Sequence, residues 1–383
     1  MKKLRVLVFS TIFGAGHIRA AEAIIQAITT KAPYSEFIHL DYGKYINSAL
    51  NNIIRNTYIG MIKYYPQLWG KFYLSTANIS PDSLIQRFLN SIGLTRLEKL
   101  INSLQPDLII CTYPTVAGVI SQLKLKKIIS IPHVTVVTDY VVHSQWIHPG
   151  VDLYIVGCRE VFDGLVSRGI DPARIQVTGI PVSPAFERHL DRKKTTLKLG
   201  LCPDRRTILI MGGAYGVLEH IKEVCRVFAE MKSRIQLIVV CGHNKKLYKA
   251  LCGMVGETRN PIYILGFESN VEELMTAADL IITKAGGLTV SEALTKRLPL
   301  VIYMPIPGQE EANAAFLRKN GAGRVAYTIK ELKRIVNSLL EQPKELEKMR
   351  QAAAVAVPGR SAERAAEHIL YLVKGLADNA KTG

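Results

Sequence analysis

Short runs of β-branched and other aliphatic residues alternate with longer helical patterns along almost the whole chain, in two successive series. The first series predicts strands at Val6–Phe9, Leu108–Cys111, Val134–Thr138 and Tyr154–Val156, and the second at Thr207–Met211, Leu237–Cys241, Ile262–Leu265, Leu280–Thr283 and Leu300–Tyr303. Strands this apolar, each separated from the next by a helix, are typical of parallel sheets that helices cover on both faces. The pattern therefore predicts an α/β chain with two doubly wound, Rossmann-like domains.

A polar and basic stretch from Glu187 to Lys198 separates the two series. At 383 residues the chain is also longer than the roughly 250–300 residues at which single cores stop growing. We therefore predict an N-terminal domain at residues 1–186, a linker at 187–199 and a C-terminal domain at 200–360. Residues 361–383 have a helical pattern, and this helix either stays with the second domain or returns to the first.

The chain carries 49 Lys and Arg residues against 32 Asp and Glu, a formal net charge of +17. Such an excess suits nucleic acid, an anionic membrane surface or an anionic substrate. It is divided between the halves, +7 for residues 1–190 and +10 for 191–383, with no concentrated basic arm, so a nucleic-acid partner is not expected. The six cysteines form no Cys-x-x-Cys pair and no zinc-spaced cluster, which favours a reducing cytosol and predicts no metal site.

A glycine-rich turn, Gly14-Ala15-Gly16-His17, joins the first strand to the first helix. Glycines let backbone N–H groups approach a ligand, and the start of a helix favours negative charge. The turn is not the dinucleotide-binding fingerprint, because Arg19 stands where that motif needs its third glycine. Gly16 is therefore a candidate contact for an anionic donor. His17 is expected at the carboxyl edge of the sheet, either facing a ligand or capping the helix.

The second domain repeats this arrangement at Met211-Gly212-Gly213-Ala214-Tyr215-Gly216 and, more distinctly, at Lys284-Ala285-Gly286-Gly287-Leu288-Thr289. In the latter motif a buried strand runs into two glycines, and the helix that follows offers bare N–H groups suited to a diphosphate. Glu292 lies one turn inside that helix, where its carboxylate can accept hydrogen bonds from two ribose hydroxyls. The alternative for Glu292 is an ion pair with Lys296, four residues further on.

The loop after the last predicted strand, Pro305-Ile306-Pro307-Gly308-Gln309-Glu310-Glu311-Ala312-Asn313, opens another helix. Gln309, Glu310 and Asn313 offer amide and carboxylate groups for several sugar hydroxyls. The same residues also suit an ordinary Pro-Gly turn followed by a polar first helical turn. Both interpretations stay open on the sequence.

The segment Lys44–Lys99 interrupts the alternation with a helical and aromatic stretch that contains seven Lys and Arg residues and two acids. Aromatic rings settle at the level of lipid headgroups, and each basic residue attracts anionic lipid by about 1 kcal/mol. We therefore predict a membrane-contacting surface around Tyr65, Pro66 and Trp69, with a helical insertion of buried aromatics as the alternative. No run reaches the roughly 20 apolar residues of a membrane span, so membrane contact is expected to be peripheral.

Several further motifs stand in a fixed order along the chain. They are Gly14-Ala15-Gly16-His17, Val137-Thr138-Asp139-Tyr140 with His143, Trp146, His148-Pro149 and Asp152, Thr178-Gly179-Ile180-Pro181-Val182, Cys241-Gly242-His243-Asn244, Gly266-Phe267, Lys284-Ala285-Gly286-Gly287-Leu288-Thr289 and Pro307-Gly308-Gln309-Glu310. In this order, and over nearly the whole chain, they resemble the family of monogalactosyldiacylglycerol synthases and processive diacylglycerol glucosyltransferases. That family has the GT-B architecture, in which two Rossmann-like domains face a cleft.

The resemblance implies an inverting transfer of a hexose from a UDP-sugar to 1,2-diacylglycerol. No metal or other cofactor is expected, because the sequence has no Asp-x-Asp motif. The implied donor contacts are the backbone at Phe267 for uracil, Glu292 for ribose, Gly213, Gly287, Leu288 and Thr289 for the diphosphate, and Gln309 and Glu310 for the sugar. The implied acceptor region includes Tyr65, Pro66, Trp69 and Trp146.

Inversion needs a base that removes the proton of the attacking hydroxyl, and the ordinary pKa of histidine suits that work. His17 is the first candidate. Asp139 is the second, either as the base itself or as the group that orients His17. We expect glucose as the sugar, because no plastid transit-like extension precedes the first strand, and a peripheral, cytoplasmic location on the inner face of the cell membrane.

Three alternatives remain on the sequence. A transferase that adds N-acetylglucosamine to a lipid-linked peptidoglycan precursor shares the architecture, although the single Gly14-x-Gly16-His17 turn and the stretch Thr138-Asp139-Tyr140 fit the diacylglycerol enzymes better. A UDP-sugar epimerase uses a related two-domain scaffold and needs no lipid. A basic, membrane-adsorbed binding protein would need no base at position 17.

Overall fold

The structure is a computed structural model that describes residues 3–11, 15–79, 83, 86, 91, 93–213, 220–253 and 258–382. The side chains of residues 50, 54, 55, 63 and 376–382 are also outside the description, as are Gly14 and the 214–216 part of the second glycine motif. The chain divides into two compact units. The first comprises residues 1–184, 307–309 and 358–383, and the second comprises 185–306 and 310–357.

The first unit alternates strands and helices except between β2 and β3. Its elements are β1 (Arg5–Ser10), α1 (Ala15–Lys31), β2 (Glu36–Asp41), α2 (Tyr42–Tyr64), α3 (Pro66–Thr76), α4 (Leu94–Leu104), β3 (Leu108–Cys111), α5 (Pro114–Leu125), β4 (His133–Val136), β5 (Leu153–Val156), α6 (Arg159–Val166) and β6 (Ile175–Val177). Helix α2 changes direction at Asn47, whose backbone is extended rather than helical. The Lys44–Lys99 segment thus contains most of α2, all of α3 and the first part of α4.

The first sheet is parallel, with the order β2-β1-β3-β4-β5-β6. Alternate residues of β1 supply two cores, as the period of two in a strand requires. Val6 and Val8 pack with Ile24 of α1, whereas Leu7 and Phe9 pack on the other face among residues of α4 and α5. Between β1 and β3 the chain order reverses direction, and ligands of open α/β sheets bind at such a point.

The C-terminal helix, α15 (Ser361–Thr382), covers the first sheet beside α1. Ala365, Ala366 and Ile369 are buried in the same core as Ile24. At the surface Lys31 Nζ lies 3.2 Å from Glu363 Oε1 and 2.9 Å from Glu367 Oε1. The last helix therefore packs in the first unit.

The second unit begins before its sheet with a helix inside the stretch predicted as a linker. Its elements are α7 (Arg192–Lys198), β7 (Arg206–Met211), α8 (Ile221–Ala229), β8 (Ile235–Val240), α9 (Lys245–Cys252), β9 (Ile262–Leu265), α10 (Val271–Ala277), β10 (Leu280–Thr283), α11 (Gly287–Thr295), β11 (Leu300–Tyr303), α12 (Gln309–Lys319), β12 (Gly323–Ala326), α13 (Ile329–Glu341) and α14 (Pro343–Ala356). Residues 187–199 belong to this unit.

The second sheet is also parallel, with the order β12-β11-β10-β7-β8-β9. Numbered from its own first strand this is the 3-2-1-4-5-6 order of dinucleotide-binding folds, with the switch point between β7 and β10. The loops after these two strands contain Gly213 and Gly286. Two doubly wound, Rossmann-like sheets confirm the predicted fold class.

One buried carboxylate ties the amino edge of the second sheet together. Asp279 is fully buried; its Oδ1 lies 2.8 Å from Arg206 Nη1, and its Oδ2 lies 2.5 Å from Arg192 Nη2. Its Oδ2 also accepts a hydrogen bond from the backbone N–H of Thr207 at 2.8 Å. Strand β10, strand β7 and helix α7 therefore share one ionic anchor.

We expect Asp279→Ala to lower the stability of the second unit by about 3 kcal/mol, because removing the carboxylate leaves its arginine partners without a counter-charge. The figure lies at the low end of the usual range because the arginines are partly exposed to water. The matched control is Asp163→Ala, whose partner Arg159 is 72% exposed, so that its loss should change stability by less than about 1 kcal/mol. Calorimetric unfolding of both variants checks this, and equal effects would contradict it.

Candidate active site

The first switch point brings the start of α1 against the end of β3. Gly16 and His17 lie in the first turn of α1, directly after the undescribed residues 12–14. The Thr112 hydroxyl donates to the His17 backbone carbonyl at 2.9 Å and lies 3.3 Å from the carbonyl of Phe9. These bonds fix the helix start relative to strands β1 and β3, so the position of the His17 side chain is set by the sheet.

The His17 ring is held through one nitrogen. Its Nδ1 lies 2.6 Å from the carbonyl oxygen of Thr112 and 3.1 Å from the hydroxyl of Thr138. A carbonyl oxygen can only accept, so Nδ1 must carry the hydrogen. In the neutral ring the other nitrogen, Nε2, is then unprotonated, which is the state that a general base needs.

The pKa of His17 lies below its usual 6.5, at about 4, because burial disfavours the imidazolium more than the Thr112 carbonyl stabilises it. Tyr113 meets the ring edge-on with centroids 5.4 Å apart, and Trp146 is tilted against it at 6.4 Å. These two aromatic rings are part of the environment that buries His17. His17 is therefore neutral, with Nε2 able to accept a proton, over the whole physiological pH range.

Asp139 follows β4 by three residues and is partly exposed. Burial raises the pKa of the Tyr73 phenol, and the negative charge of Asp139 raises it further. Asp139 is thus an electrostatic neighbour of helix α3. The groups at His17 Nδ1 are the Thr112 carbonyl and the Thr138 hydroxyl, neither of which was predicted as an orienting group.

Helix α3 is anchored to the loop that contains Asp139 and Trp146. The His143 ring lies 4.5 Å from the Tyr73 ring, and its Nε2 is 3.2 Å from the Tyr73 carbonyl. The Ser144 hydroxyl donates to the carbonyl of Thr76 at 2.7 Å. His143 was part of a sequence motif but was not predicted as a site residue; its two contacts give it a positioning role.

The predicted acceptor residues fall into two environments. Trp69 is partly buried, and its ring lies 5.0 Å from that of Tyr58 and 5.8 Å from that of Phe72. Trp146 is fully buried beside His17. Pro66 begins α3. The neighbouring exposed apolar side chains form a surface that we call the aromatic ridge: Tyr64, Tyr65, Leu68, Phe72 and Leu74.

Two loops at the second switch point, and the loop after the edge strand β9, leave open space. Among the described residues, a Cβ atom built on Gly213, Gly286 or Gly266 would meet no heavy atom within 4 Å. Gly213 has a φ of +74°, which favours glycine, but Gly286 has φ −66° and ψ +130°, which any residue adopts. The part of the chain that the structure describes therefore gives no steric reason for glycine at position 286, whereas close approach of a ligand would.

Helix α11 begins directly at this open space. Its N-cap is Gly286, which has no side chain to cap the first-turn N–H groups of Gly287, Leu288 and Thr289. Uncapped N–H groups at the positive end of a helix dipole favour a negatively charged ligand. Glu292, one turn further, is 5% exposed. Lys296 Nζ donates to the backbone carbonyl of Arg188 at 3.0 Å.

The two loops after β10 and β11 are bound to each other. Glu310 Oε1 lies 3.3 Å from Lys284 Nζ, and Glu310 Oε2 accepts from the N–H of Ile306 at 3.0 Å. The Asn313 amide donates to the carbonyl of Ala285 at 2.9 Å. Glu310 and Asn313 are buried, and Gln309 is partly buried. Lys284 was not predicted as a site residue, and its ion pair with Glu310 brings a cation to these two loops.

Phe267 is 51% exposed and stacks on His243, with ring centroids 4.2 Å apart and planes 12° from parallel. The N–H of Gly242 donates to the carbonyl of Gly266 at 3.1 Å, which joins the same two loops through the backbone. His243 was a motif residue without an assigned role. The His243 ring supports Phe267 from one side. Together with the Gly242–Gly266 hydrogen bond, this stack fixes the loop after β9.

Among the residues that the structure describes, no three His, Cys, Asp or Glu side chains are grouped so that they would hold a metal ion. In that same part of the chain, every helix falls short of the length and hydropathy needed to cross a bilayer.

Comparison with known proteins gives matches on both units. The family model of monogalactosyldiacylglycerol (MGDG) synthase matches residues 17–182, and that of the glycosyltransferase family 28 C-terminal domain matches residues 207–369. The chain is 32% identical to the processive diacylglycerol β-glucosyltransferase of Staphylococcus aureus over 346 residues, which cover 90% of this chain and 87% of the relative.

Solved structures with low sequence identity share the fold. Acinetobacter baumannii MurG is 16% identical, with a TM-score of 0.64 over 96% of this chain and 99% of that one. The S. aureus MnaA–UDP structure is 15% identical, with a TM-score of 0.62 over 97% of each chain. The extended identity to the diacylglycerol enzyme, the two family models and the two Rossmann-like sheets agree. The chain belongs to the family of MGDG synthases and processive diacylglycerol glucosyltransferases, and it is a glycosyltransferase with the GT-B fold.

Proposed function

We propose that this chain transfers a hexose, glucose, from UDP-glucose to the free hydroxyl of 1,2-diacylglycerol, with inversion at the anomeric carbon. The observation that carries the proposal is the hydrogen bond from His17 Nδ1 to the Thr112 carbonyl, which leaves Nε2 as a proton acceptor. One base acting on the attacking hydroxyl suffices for a single displacement, and a single displacement inverts the configuration. Asp139, an anion near α3, is the second candidate base.

In this proposal the second unit binds UDP-glucose. The backbone at Phe267 reads uracil, Glu292 accepts from the ribose hydroxyls, and the diphosphate occupies the open space before α11. Its charge is met by the N–H groups of Gly287, Leu288 and Thr289 and the helix dipole, with Gly213 allowing close approach. This arrangement does not depend on a divalent metal.

The sugar is assigned to the loop that opens α12. Gln309 lies at the first position of this helix, and the Glu310 carboxylate is fixed by Lys284 and by the Ile306 N–H. Because these two contacts already hold the carboxylate in place, it loses little conformational entropy when it accepts hydrogen bonds from sugar hydroxyls. Lys284 also adds positive charge for the departing diphosphate.

The first unit is proposed to take the lipid. The aromatic ridge exposes five apolar side chains on α2, on α3 and at Tyr65 between them, with Tyr65 65% and Leu68 55% exposed. Interfacial aromatics and nearby lysines suit a peripheral contact with an anionic bilayer, here the inner face of the cell membrane. Anchoring of α3 through His143 keeps this surface in a fixed relation to Trp146 and His17.

The direct test is product analysis with diacylglycerol in phosphatidylglycerol vesicles and each of UDP-glucose, UDP-galactose and UDP-N-acetylglucosamine. We expect β-glucosyl-diacylglycerol from UDP-glucose, equal rates with EDTA, and weaker vesicle binding at high salt because the attraction is electrostatic. Mass analysis and anomeric proton couplings identify the product. Transfer of N-acetylglucosamine to a polyprenyl-linked precursor only, or conversion of UDP-sugars without an acceptor, would contradict the proposal.

His17→Ala should lower kcat/KM by about 100-fold or more, as expected for loss of a general base, while UDP affinity changes less than about twofold. Since the base must be neutral, activity rises with pH through its pKa. With that pKa at about 4, the acid limb of the wild-type kcat/KM profile should lie well below the 6.5 of an ordinary histidine. The control is His189→Ala at an exposed histidine. An acid limb near 6.5, or an active His17→Ala, would refute the assignment.

Gly286→Ser should raise the KM for UDP-glucose by about tenfold and leave folding intact. Serine is the better N-cap by a few tenths of a kcal/mol, and its hydroxyl would occupy the space and the N–H groups assigned to the diphosphate. Gly359→Ser is the matched control, because a Cβ there also meets nothing within 4 Å. An unchanged KM in Gly286→Ser would place the diphosphate elsewhere.

A further inference from the structure

His148 is a buried histidine that has no role in the proposed function. It belongs to the His148-Pro149 motif in the loop between β4 and β5, and its side chain is closed off from solvent. Burying an imidazole costs free energy unless its polar atoms find partners, and an aliphatic side chain would fill the same space without that cost. The contacts of the ring therefore have to explain why a histidine stands here.

The His148 ring joins its own loop to the start of α5. Its Nε2 lies 3.1 Å from the carbonyl oxygen of Pro114, the first residue of that helix. Since a carbonyl oxygen can only accept, Nε2 carries the hydrogen and donates it. Thr112 and Tyr113 directly precede Pro114. They supply the carbonyl at His17 Nδ1 and the ring that meets His17 edge-on, so the hydrogen bond from His148 ends beside the segment that holds His17.

The backbone of His148 is fixed separately by strand β5. Its N–H donates to the Tyr154 hydroxyl at 2.9 Å, and that hydroxyl donates to the carbonyl of His148 at 3.0 Å. Tyr154 is fully buried, and burial raises the pKa of its phenol, so the hydroxyl keeps its hydrogen. Trp146, whose ring lies 6.4 Å from that of His17, comes only two residues before this fixed point. The residue that reaches Pro114 thus also restricts the movement of Trp146.

We propose that His148 is a positioning residue for His17. Its ring and its backbone join the segment that carries Tyr113 to the segment that carries Trp146, and both of these aromatic rings lie against His17. The link holds the two rings in place and keeps water away from the imidazole between them. The inference rests on the proposed function, in which His17 is the base, and adds a residue that acts on the base through its neighbours.

Loss of this link has a measurable effect on His17. Burial lowers the pKa of His17 to about 4, against a smaller opposing effect of the Thr112 carbonyl. If Tyr113 and Trp146 are free to move, water reaches the ring, the imidazolium is less disfavoured and the pKa of His17 rises. Burial also lowers the pKa of His148 to about 4, so the link itself carries no charge at neutral pH.

The test compares three substitutions of the same side chain. Glutamine places an amide nitrogen near the position of Nε2 and can still donate to Pro114, whereas asparagine is one methylene shorter and leucine has no donor. We expect kcat/KM to fall by about tenfold in His148→Leu and His148→Asn, because a misplaced base slows the chemical step. The loss should lie in kcat, with the KM for UDP-glucose within about twofold of wild type, and His148→Gln should keep at least about half of the activity.

The readout specific to a positioning role is the ¹⁵N titration of the His17 imidazole. In His148→Leu and His148→Asn its pKa should rise from about 4 to about 5 or higher, and in His148→Gln it should stay at about 4. The matched control is His133→Leu, which removes another fully buried imidazole of the first unit, one whose Nε2 lies 3.3 Å from the Thr135 hydroxyl. It should leave the His17 titration at about 4.

A His17 titration at about 4 in every variant would overturn the inference, even if the melting temperature of His148→Leu fell. Equal losses of kcat in His148→Gln and His148→Asn would overturn it too. If His148→Leu does not fold, the comparison of His148→Gln with His148→Asn decides alone. A raised His17 pKa with an unchanged rate of transfer would uphold the positioning of His17 and overturn its assignment as the base, which separates a failure of the proposed function from a failure of the inference.

Discussion

The direction of the strands determines where chemistry can occur in this protein. Both sheets are fully parallel, so every strand ends at the same edge of its sheet and every following loop lies there. At each switch point two neighbouring loops turn away from each other and leave room for a ligand. In the first unit that room holds His17 and Thr112; in the second it lies beside Gly213 and Gly286. The division of labour that we propose follows from this geometry.

A backbone carbonyl, rather than a carboxylate, orients the proposed base. A carboxylate at Nδ1 would raise the pKa of His17 and favour the imidazolium. A neutral carbonyl fixes the same tautomer but raises the pKa less. Burial then dominates and lowers the pKa to about 4. The consequence is a base that is always available but weak. In the proposed mechanism, proton transfer to this weak base would be coupled to bond formation at the anomeric carbon, with fixed dipoles stabilising the departing diphosphate.

The sequence predicted the buried strands well and missed β2, β6 and β12, which are all edge strands. An edge strand has one neighbour and is partly exposed, so it can carry polar residues such as Glu36 in β2, Gln176 in β6 and Arg324 in β12. The fourth edge strand, β9, is apolar throughout and was predicted. Among site features, the glycine turns and His17 were visible as residue patterns. The Thr112 carbonyl was not, since every residue has one. The stack of His243 on Phe267 and the Lys284–Glu310 pair depend on loop conformations that no local pattern encodes.

The central claim is that His17 is a neutral base with its proton on Nδ1. Nitrogen NMR of protein labelled with ¹⁵N-histidine, with the His17 signals assigned by their loss in His17→Gln, reads tautomer and pKa directly and without an activity assay. The account predicts a protonated Nδ1 and a bare Nε2 at neutral pH, with titration at about 4. A proton on Nε2 at neutral pH, or titration near the usual 6.5, would contradict it.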